Sequence, residues 1–255
     1  MAQVKGQSNA QTLFQMEQIP CDNRIRTLLD PLPPTHFFSV FSYIVERLYT
    51  HGYRQPWRSF NHNLLVALDA TKYFPSTKIH CQQCCRTHHR NATVTYSHQA
   101  ITPVLVAPGH GQVICLAPAF ITPQDGHDKQ DCETAAAKRW LAQYGALYGP
   151  LGVTVLGDDR YCHQPLGEMI LAANCHFPLV CKPDSHTTLY DWLAGFSLET
   201  LTVRRWTGKR HKIDAYRYLN HVPLRDGDDA LWVNWCELTT TDSEGNILYQ
   251  NAMPV

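Results

Sequence analysis

Two aspartates in this sequence each follow a short apolar run that is typical of a buried strand. Asp69 comes directly after residues 64–68, and Asp158 comes directly after residues 153–157. An aspartate in that position holds its carboxylate at the carboxyl edge of a sheet, where open α/β sheets place their binding sites. If the two strands are neighbours, the two carboxylates form a site for hard divalent cations such as Mg²⁺ or Mn²⁺. Aspartates also begin turns after strands for structural reasons alone, so neither residue by itself indicates a site.

A dense group of cysteines and histidines lies shortly after Asp69. It reads His80-Cys81-Gln-Gln-Cys84-Cys85-Arg-Thr-His88-His89. A Cys-x-x-Cys pair followed by histidines offers thiolate and imidazole ligands for a tetrahedral Zn²⁺ ion. The predicted ligands of a structural zinc are Cys81, Cys84, His88 and His89, with His98 or His80 as further candidates for the fourth position. Reduced cysteines without a metal are the competing interpretation. Catalysis is not expected from this group, because thiolates are poor ligands for Mg²⁺.

The densest basic run of the chain is interleaved with a tryptophan, as Arg204-Arg-Trp-Thr-Gly-Lys-Arg-His-Lys212. Cationic side chains of this kind neutralise phosphates, and an exposed indole can stack on a base. The predicted DNA contacts are Arg204, Arg205, Trp206, Lys209, Arg210 and Lys212. A solvated hairpin with charged faces would show the same pattern and is an equal alternative for the run taken alone.

Composition limits the class of protein. The chain has 255 residues, and Lys+Arg and Asp+Glu both number 22, which argues against a strongly basic nucleic-acid coat. No apolar run approaches the roughly 20 residues of a membrane span, and the first residues lack the apolar core of a signal peptide. The protein is therefore predicted to be cytoplasmic, without a membrane partner. In that compartment its cysteines are expected to bind metal or to be buried, since disulfides are rare there.

Apolar runs and turn signals predict the elements that position these residues. Predicted strands cover residues 64–68, 100–107, 113–117, 153–157 and 177–181, and predicted helices cover residues 36–53, 125–144 and 164–173. The order is β–β–β–α–β–α–β, and a right-handed crossover would return the fourth strand to the side of the first. Beyond residue 200, short strand-like runs separated by turn clusters predict an antiparallel β segment.

Three motifs in this order resemble the catalytic core of DDE-type transposases of bacterial insertion sequences. They are Leu68-Asp-Ala-Thr71, Ile121-Thr-Pro-Gln-Asp-Gly-His-Asp128 and Leu156-Gly-Asp-Asp-Arg-Tyr161. The resemblance covers roughly residues 60 to 200 and is specific in order as well as content. It implies a ribonuclease-H-like fold and metal-dependent cleavage and transfer of double-stranded DNA, at transposon ends and target. It also implies that Asp69 and Asp158 are the first two metal-binding acids. Asp158 is preferred to Asp159 because Tyr161 then falls at the spacing of the family motif.

The sequence departs from that family at its third acid, a glutamate on a later helix. No helix of that pattern follows Asp159, and residues 200–250 resemble a β-rich insertion that some members place before the glutamate. The resulting interpretation is a truncated, inactive transposase, with Glu237 as a weak substitute acid. Two alternatives stay open: a non-catalytic DNA- or zinc-binding remnant of such a protein, and a zinc-ribbon binding module on an α/β scaffold.

The predicted fold class is therefore α/β, with a ribonuclease-H-like mixed sheet flanked by helices and a C-terminal antiparallel β-rich insertion. The predicted domains are a helical segment at 1–60, a catalytic core at 61–200 with a Cys/His loop at 80–98, and an incomplete insertion at 201–255. The resemblance implies Mg²⁺ or Mn²⁺ at the acidic site, and the cysteine group suggests a structural Zn²⁺. The oligomeric state is open, with a dimer on DNA as one alternative.

Overall fold

The structure is a computed structural model that describes residues 12, 15, 17, 19–53, 55–123, 131–208 and 210–255. The chain divides into two compact units, Met1–Val40 and Phe41–Val255. In the first unit, helix α1 (Asp22–Leu29) ends just before Pro31, as the proline-rich sequence predicts. A 3₁₀ turn (Pro34–Phe37) then leads into helix α2 (Phe38–Thr50). The domain boundaries predicted from the sequence stay a prediction.

The larger unit holds most of the regular structure. Its helices after α2 are α3 (Glu133–Tyr148), α4 (Gln164–Ala172) and α5 (Thr187–Ala194). Its strands are β1 (Leu64–Ala67), β2 (Ala70–Ser76), β3 (Cys85–His88), β4 (Val94–Ile101), β5 (Val104–Val106), β6 (Ile114–Cys115), β7 (Ala119–Ile121), β8 (Val153–Leu156), β9 (Glu199–Thr207), β10 (Arg210–Pro223), β11 (Trp232–Thr241) and β12 (Ile247–Pro254). The fold is therefore mixed α/β.

A first sheet has the strand order β6-β5-β1-β8. Strand β5 is antiparallel to β1, whereas β8 is parallel to it, so the predicted return of the fourth strand beside the first is present. Val66 in β1 and Val155 in β8 are almost completely buried. Helix α3 buries Trp140, whose Nε1 donates a hydrogen bond of 2.8 Å to the carbonyl of Ala117. The apolar runs thus form the central strands of this sheet, where their side chains are removed from water.

A second sheet begins with β2, directly after Asp69. Its strand order is β2-β4-β3, and β7 also pairs with β4. Residues 80–98 were predicted as a loop, and that prediction is wrong, since they contain β3 and the first five residues of β4. The prediction of a single strand at 100–107 is also wrong, because two strands lie there. Pro103 lacks an N–H and separates β4, which pairs in the second sheet, from β5, which pairs with β1.

The C-terminal strands form a third sheet in the order β12-β11-β10-β9, and all neighbouring pairs are antiparallel, as predicted. The predicted strand at 177–181 is instead a segment with parallel bridges to β8 through His176 and Leu179. Helix α5 was not predicted. The predicted start of α3 near residue 125, with His127 and Asp128, lies outside the described residues. Among the residues that are described, no helix is long and apolar enough to cross a membrane.

Candidate functional site

The two strand-ending aspartates lie next to each other at one edge of the first sheet. The parallel register pairs Ala67 of β1 with Leu156 of β8. Asp69 and Asp158 each follow two residues after that pair, and the backbone pairing continues through Leu68 N to Leu156 O at 2.8 Å. Adjacent strands lie about 4.8 Å apart, so the two carboxylates start from neighbouring backbone positions. Both residues are exposed.

Each of these carboxylates makes one short local hydrogen bond. Oδ1 of Asp69 accepts from the N–H of Ala70 at 2.8 Å, and Oδ1 of Asp158 accepts from the N–H of Arg160 at 3.0 Å. Among the described residues, neither second oxygen has a hydrogen-bond partner. The arrangement therefore orients both carboxylates and leaves an oxygen of each available to a cation.

Asp159 faces a different set of partners from its neighbour Asp158. It accepts hydrogen bonds from the N–H of Lys182 at 2.7 Å and from the hydroxyl of Ser185, and Nε2 of His186 lies 3.5 Å away. Burial raises the pKa of Asp159, but the Ser185 and Lys182 hydrogen bonds outweigh that effect and hold its pKa below the usual value. Asp159 thus anchors the segment after residue 181, and Asp158 is the one at the exposed edge.

Tyr161 lies beneath this edge and is 1% exposed. Its hydroxyl has no hydrogen-bond partner among the described residues. Its pKa is raised by burial first and then by the nearby carboxylates of Glu133, Asp158 and Asp69. The tyrosine predicted from the motif spacing therefore lies close to both aspartates and to a third acid.

That third acid, Glu133, was missed in the sequence. It is the first residue of α3, and its Oε1 accepts a 3.0 Å hydrogen bond from Nη1 of Arg160, directly after the Asp158–Asp159 pair. Thr134 also contacts the backbone carbonyl of Arg160 at 3.4 Å. A glutamate in the first helical turn is ordinary because it complements the helix dipole, so the sequence alone gave no reason to single it out. Glu237, the substitute acid considered from the sequence, is instead ion-paired to Arg217 at 2.6 Å in the third sheet.

The structure brings together part of the predicted cysteine group, namely Cys81, Cys84 and His98, the last a candidate for the fourth position. Sγ of Cys81 and Sγ of Cys84 lie 3.6 Å apart, and Nε2 of His98 lies 3.5 Å from the first and 3.6 Å from the second. His88 and His89 are not part of this cluster. Nε2 of His89 bonds the hydroxyl of Thr95 at 2.8 Å instead.

A second Cys/His group was not found from the sequence. Cys162, Cys181 and His186 are all buried, and their ligand atoms lie within 4.8 Å of one another. Nε2 of His186 has no hydrogen bond among the described residues, since its 3.5 Å approach to Asp159 is an ion-pair distance only. The pKa of Cys162 is raised by its contact with Cys181 and by burial. These residues are separated in sequence and meet only because the segment after α4 runs back along β8. The described structure thus has two Cys/His clusters that could bind a metal.

The basic run forms the end of the β9–β10 hairpin. Its register pairs Arg204 with Ile213, Arg205 with Lys212 and Trp206 with His211, so alternate residues point to opposite faces. Lys209 and the side chain of Arg210 lie outside the described part of the chain. The predicted DNA contacts are therefore divided between two faces.

The two faces of this hairpin differ in the contacts that their side chains make. On one, Arg205 is ion-paired to the buried carboxylate of Asp214. That contact raises the pKa of Arg205 and, with the hydroxyl of Thr240, lowers that of Asp214. On the other, Trp206 is 64% exposed and lies with its ring centroid 5.0 Å from that of His211, next to the exposed Arg204. The second face is the better candidate for stacking and phosphate contact.

Comparisons with known proteins give little further information. No family model matches the chain, and no curated protein matches it. Among solved structures, a piggyBac transposase in a synaptic complex with hairpin DNA is similar, with a TM-score of 0.34 and 9% identity. The match covers 80% of this chain and 39% of the transposase chain. A TM-score of that size does not establish a shared fold.

Proposed function

We propose that this chain is a transposase-like protein whose acidic edge binds Mg²⁺ or Mn²⁺ and acts on double-stranded DNA. The observation that carries the proposal is the position of Asp69 and Asp158, side by side just after two parallel strands. Each has a carboxylate oxygen without a hydrogen-bond partner among the described residues. The strand order around them, with β5 and β6 on one side and β8 on the other, supports a ribonuclease-H-like core. The motifs that resemble DDE-type transposases contain both aspartates, and this supports DNA transposition as the reaction.

Two carboxylates with unshared oxygens suit a hard divalent cation, which favours oxygen ligands and keeps several waters. When bound, such an ion would supply Lewis-acid stabilisation of the phosphate undergoing transfer. Asp69 and Asp158 would be its ligands, and one backbone hydrogen bond to each carboxylate orients it. Tyr161, three residues after Asp158, is buried.

Glu133 is our candidate for a third acid in the described part of the chain. Its charge, like those of Asp69 and Asp158, helps to raise the pKa of Tyr161, but Arg160 occupies one of its oxygens. We therefore expect this chain by itself to bind metal at the two aspartates and to cut DNA weakly or not at all.

The proposal is tested by Mn²⁺ binding, measured by electron paramagnetic resonance, and by nicking of supercoiled DNA in Mg²⁺ or Mn²⁺. Asp69→Ala and Asp158→Ala are each expected to abolish metal binding at this edge. Asp191→Ala removes an exposed aspartate from α5 and is the matched control, expected to behave as the parent chain. Parent-level Mn²⁺ binding in both site variants would refute the acidic centre.

A non-catalytic remnant is the second candidate function, favoured by the ion pair that ties Glu133 to Arg160. Metal-dependent nicking that is lost in Asp69→Ala would exclude it. DNA binding without nicking, together with Mn²⁺ binding at the aspartates, would favour it.

A further inference from the structure

The strongest unassigned feature is the triangle formed by Cys81, Cys84 and His98. Its three edges measure 3.6, 3.5 and 3.6 Å between ligand atoms. A tetrahedral zinc ion with bonds of about 2.3 Å to sulfur and about 2.0 Å to nitrogen places two sulfurs about 3.8 Å apart and a sulfur and a nitrogen about 3.5 Å apart. The triangle therefore has the size of one face of a zinc tetrahedron. A disulfide would require sulfurs about 2.05 Å apart.

The chemistry of the three side chains also suits a metal ion. The N–H of Cys81 donates to the sulfur of Cys84 at 3.3 Å, which holds the two sulfurs on the same side of the turn. Thiolates and a neutral imidazole are the ligands that Zn²⁺ prefers.

The neighbouring cysteine and histidine in the sequence, Cys85 and His80, make other contacts. Cys85 follows Cys84 directly, but it is completely buried and its sulfur donates to the carbonyl of Ile121 at 3.2 Å. His80 stacks on Tyr96, with ring centroids 4.3 Å apart. His80 is therefore held against Tyr96 and is not part of the cluster.

We propose that Cys81, Cys84 and His98 bind a structural Zn²⁺ ion that ties the turn between β2 and β3 to the central strand β4. The two cysteines lie on that turn, where the N–H of Cys84 bonds the carbonyl of Cys81 at 3.2 Å. His98 lies opposite Tyr73 of β2 in the register. The ion therefore cross-links the second sheet, whose first strand begins directly after Asp69. This proposal is independent of the DNA-cleaving function.

The test measures zinc per chain by mass spectrometry on the full chain purified without chelator. Cys81→Ser, Cys84→Ser and His98→Ala are each expected to lose one equivalent relative to the parent. His88→Ala and His89→Ala are the matched controls and are expected to retain it. A Cys162→Ser/Cys181→Ser variant separates the second Cys/His group and is also expected to retain this equivalent.

Cobalt substitution provides a second readout that does not depend on yield. Co²⁺ in the parent chain is expected to give tetrahedral d–d bands with thiolate charge-transfer absorption. Those bands should disappear in Cys81→Ser, whose side chain is exposed and whose replacement leaves the core intact. Parent and Cys81→Ser chains with equal zinc content and equal cobalt spectra would overturn the proposal. Loss of the equivalent in His88→Ala or His89→Ala would also overturn it.

Discussion

Asp158 and Asp159 show how adjacent residues of one type take different roles. Asp158 lies at the exposed end of β8, whereas Asp159 turns toward Lys182 and Ser185 and is satisfied by them. The motif spacing favoured Asp158 because of Tyr161, and the hydrogen bonds of Asp159 supply an independent physical reason for the same choice. A carboxylate already committed to several donors is a poor ligand for an exchangeable cation.

The carboxylate of Asp214 gives a prediction at the scale of single residues. Its hydrogen bonds with Arg205 and Thr240 hold its pKa in the folded state below the ordinary value. A depressed carboxyl pKa stabilises the fold above the unfolded value of about 3.9, and this contribution is lost as the pH falls through the folded value. We expect Asp214→Asn to lower the melting temperature by several degrees at pH 6, with a difference that shrinks below about pH 4.

Thermal melts of the parent and Asp214→Asn chains from pH 3 to pH 7 check this expectation. Asp226→Asn, in the exposed turn between β10 and β11, is the control and should follow the parent throughout. A melting difference for Asp214→Asn that stays constant down to pH 3 would show that the ion pair with Arg205 does not stabilise the fold through charge.

At the scale of elements, the end of α3 approaches the end of α4 so closely that only glycine fits. A Cβ atom on Gly149 would lie 2.0 Å from the backbone carbonyl oxygen of Ala173. Because the obstacle is backbone, it cannot move aside as a flexible side chain would. We expect Gly149→Ala to lower the free energy of unfolding by about 1–3 kcal/mol or more, as overpacking does. Urea denaturation measures the change.

Gly111→Ala is the matched control for that substitution. Gly111 is exposed, and nothing lies within 4 Å of a Cβ atom placed there. Its replacement should change the unfolding free energy by a few tenths of a kcal/mol, as exposed sites usually do. Equal effects of the two substitutions would mean that α3 and α4 are not packed as the structure has them.

The same scale shows which features the sequence could predict. β1, β8 and α4 were predicted because each is a continuous or helically spaced apolar run. β2 and β3 were missed because most of their residues are exposed and show little apolar alternation. α5 has only eight residues, with Leu189 and Leu193 as its buried positions, which is too short a pattern to indicate a helix.

In the candidate sites, too, features set within one segment were predicted, and contacts between segments were not. The two aspartates were predicted because each depends only on the end of its own strand. Local spacing favoured His88 and His89 as zinc ligands and named His98 only as a candidate for the fourth position, because His98 reaches the cysteines only through the pairing of β4 with β2. Likewise Glu133 depends on where α3 begins against β8. Contacts between distant segments are set by packing, and a single sequence does not display them.

At the scale of the whole molecule, charge decides how DNA could be bound. Lys+Arg and Asp+Glu balance at 22 each, so the chain as a whole does not attract a polyanion. Any affinity for DNA must come from local cations. On the β9–β10 hairpin Arg205 is ion-paired to Asp214 and shares its face with Lys212, whereas Arg204 and the exposed Trp206 lie on the other face.

This division predicts different effects for two substitutions on one face. Each phosphate contact contributes a slope of about −0.9 to the plot of log affinity against log salt, because a counterion is released. Arg204→Ala is therefore expected to make the slope shallower by about 1. Trp206→Ala is expected to weaken binding at every salt concentration without changing the slope, since stacking releases no counterion. Fluorescence anisotropy with labelled duplex and single-stranded DNA at several salt concentrations measures both.

Arg90→Ala is the control that separates a local contact from bulk charge. It removes the same charge from the exposed turn between β3 and β4, far from the hairpin in sequence. If Arg90→Ala shifts the slope as much as Arg204→Ala, the hairpin face is not the DNA contact and the chain responds to net charge alone. If only Arg204→Ala shifts it, a molecule without net charge binds DNA through one face of one hairpin. The basic run would then be a binding element, and the alternative of a solvated hairpin would be excluded.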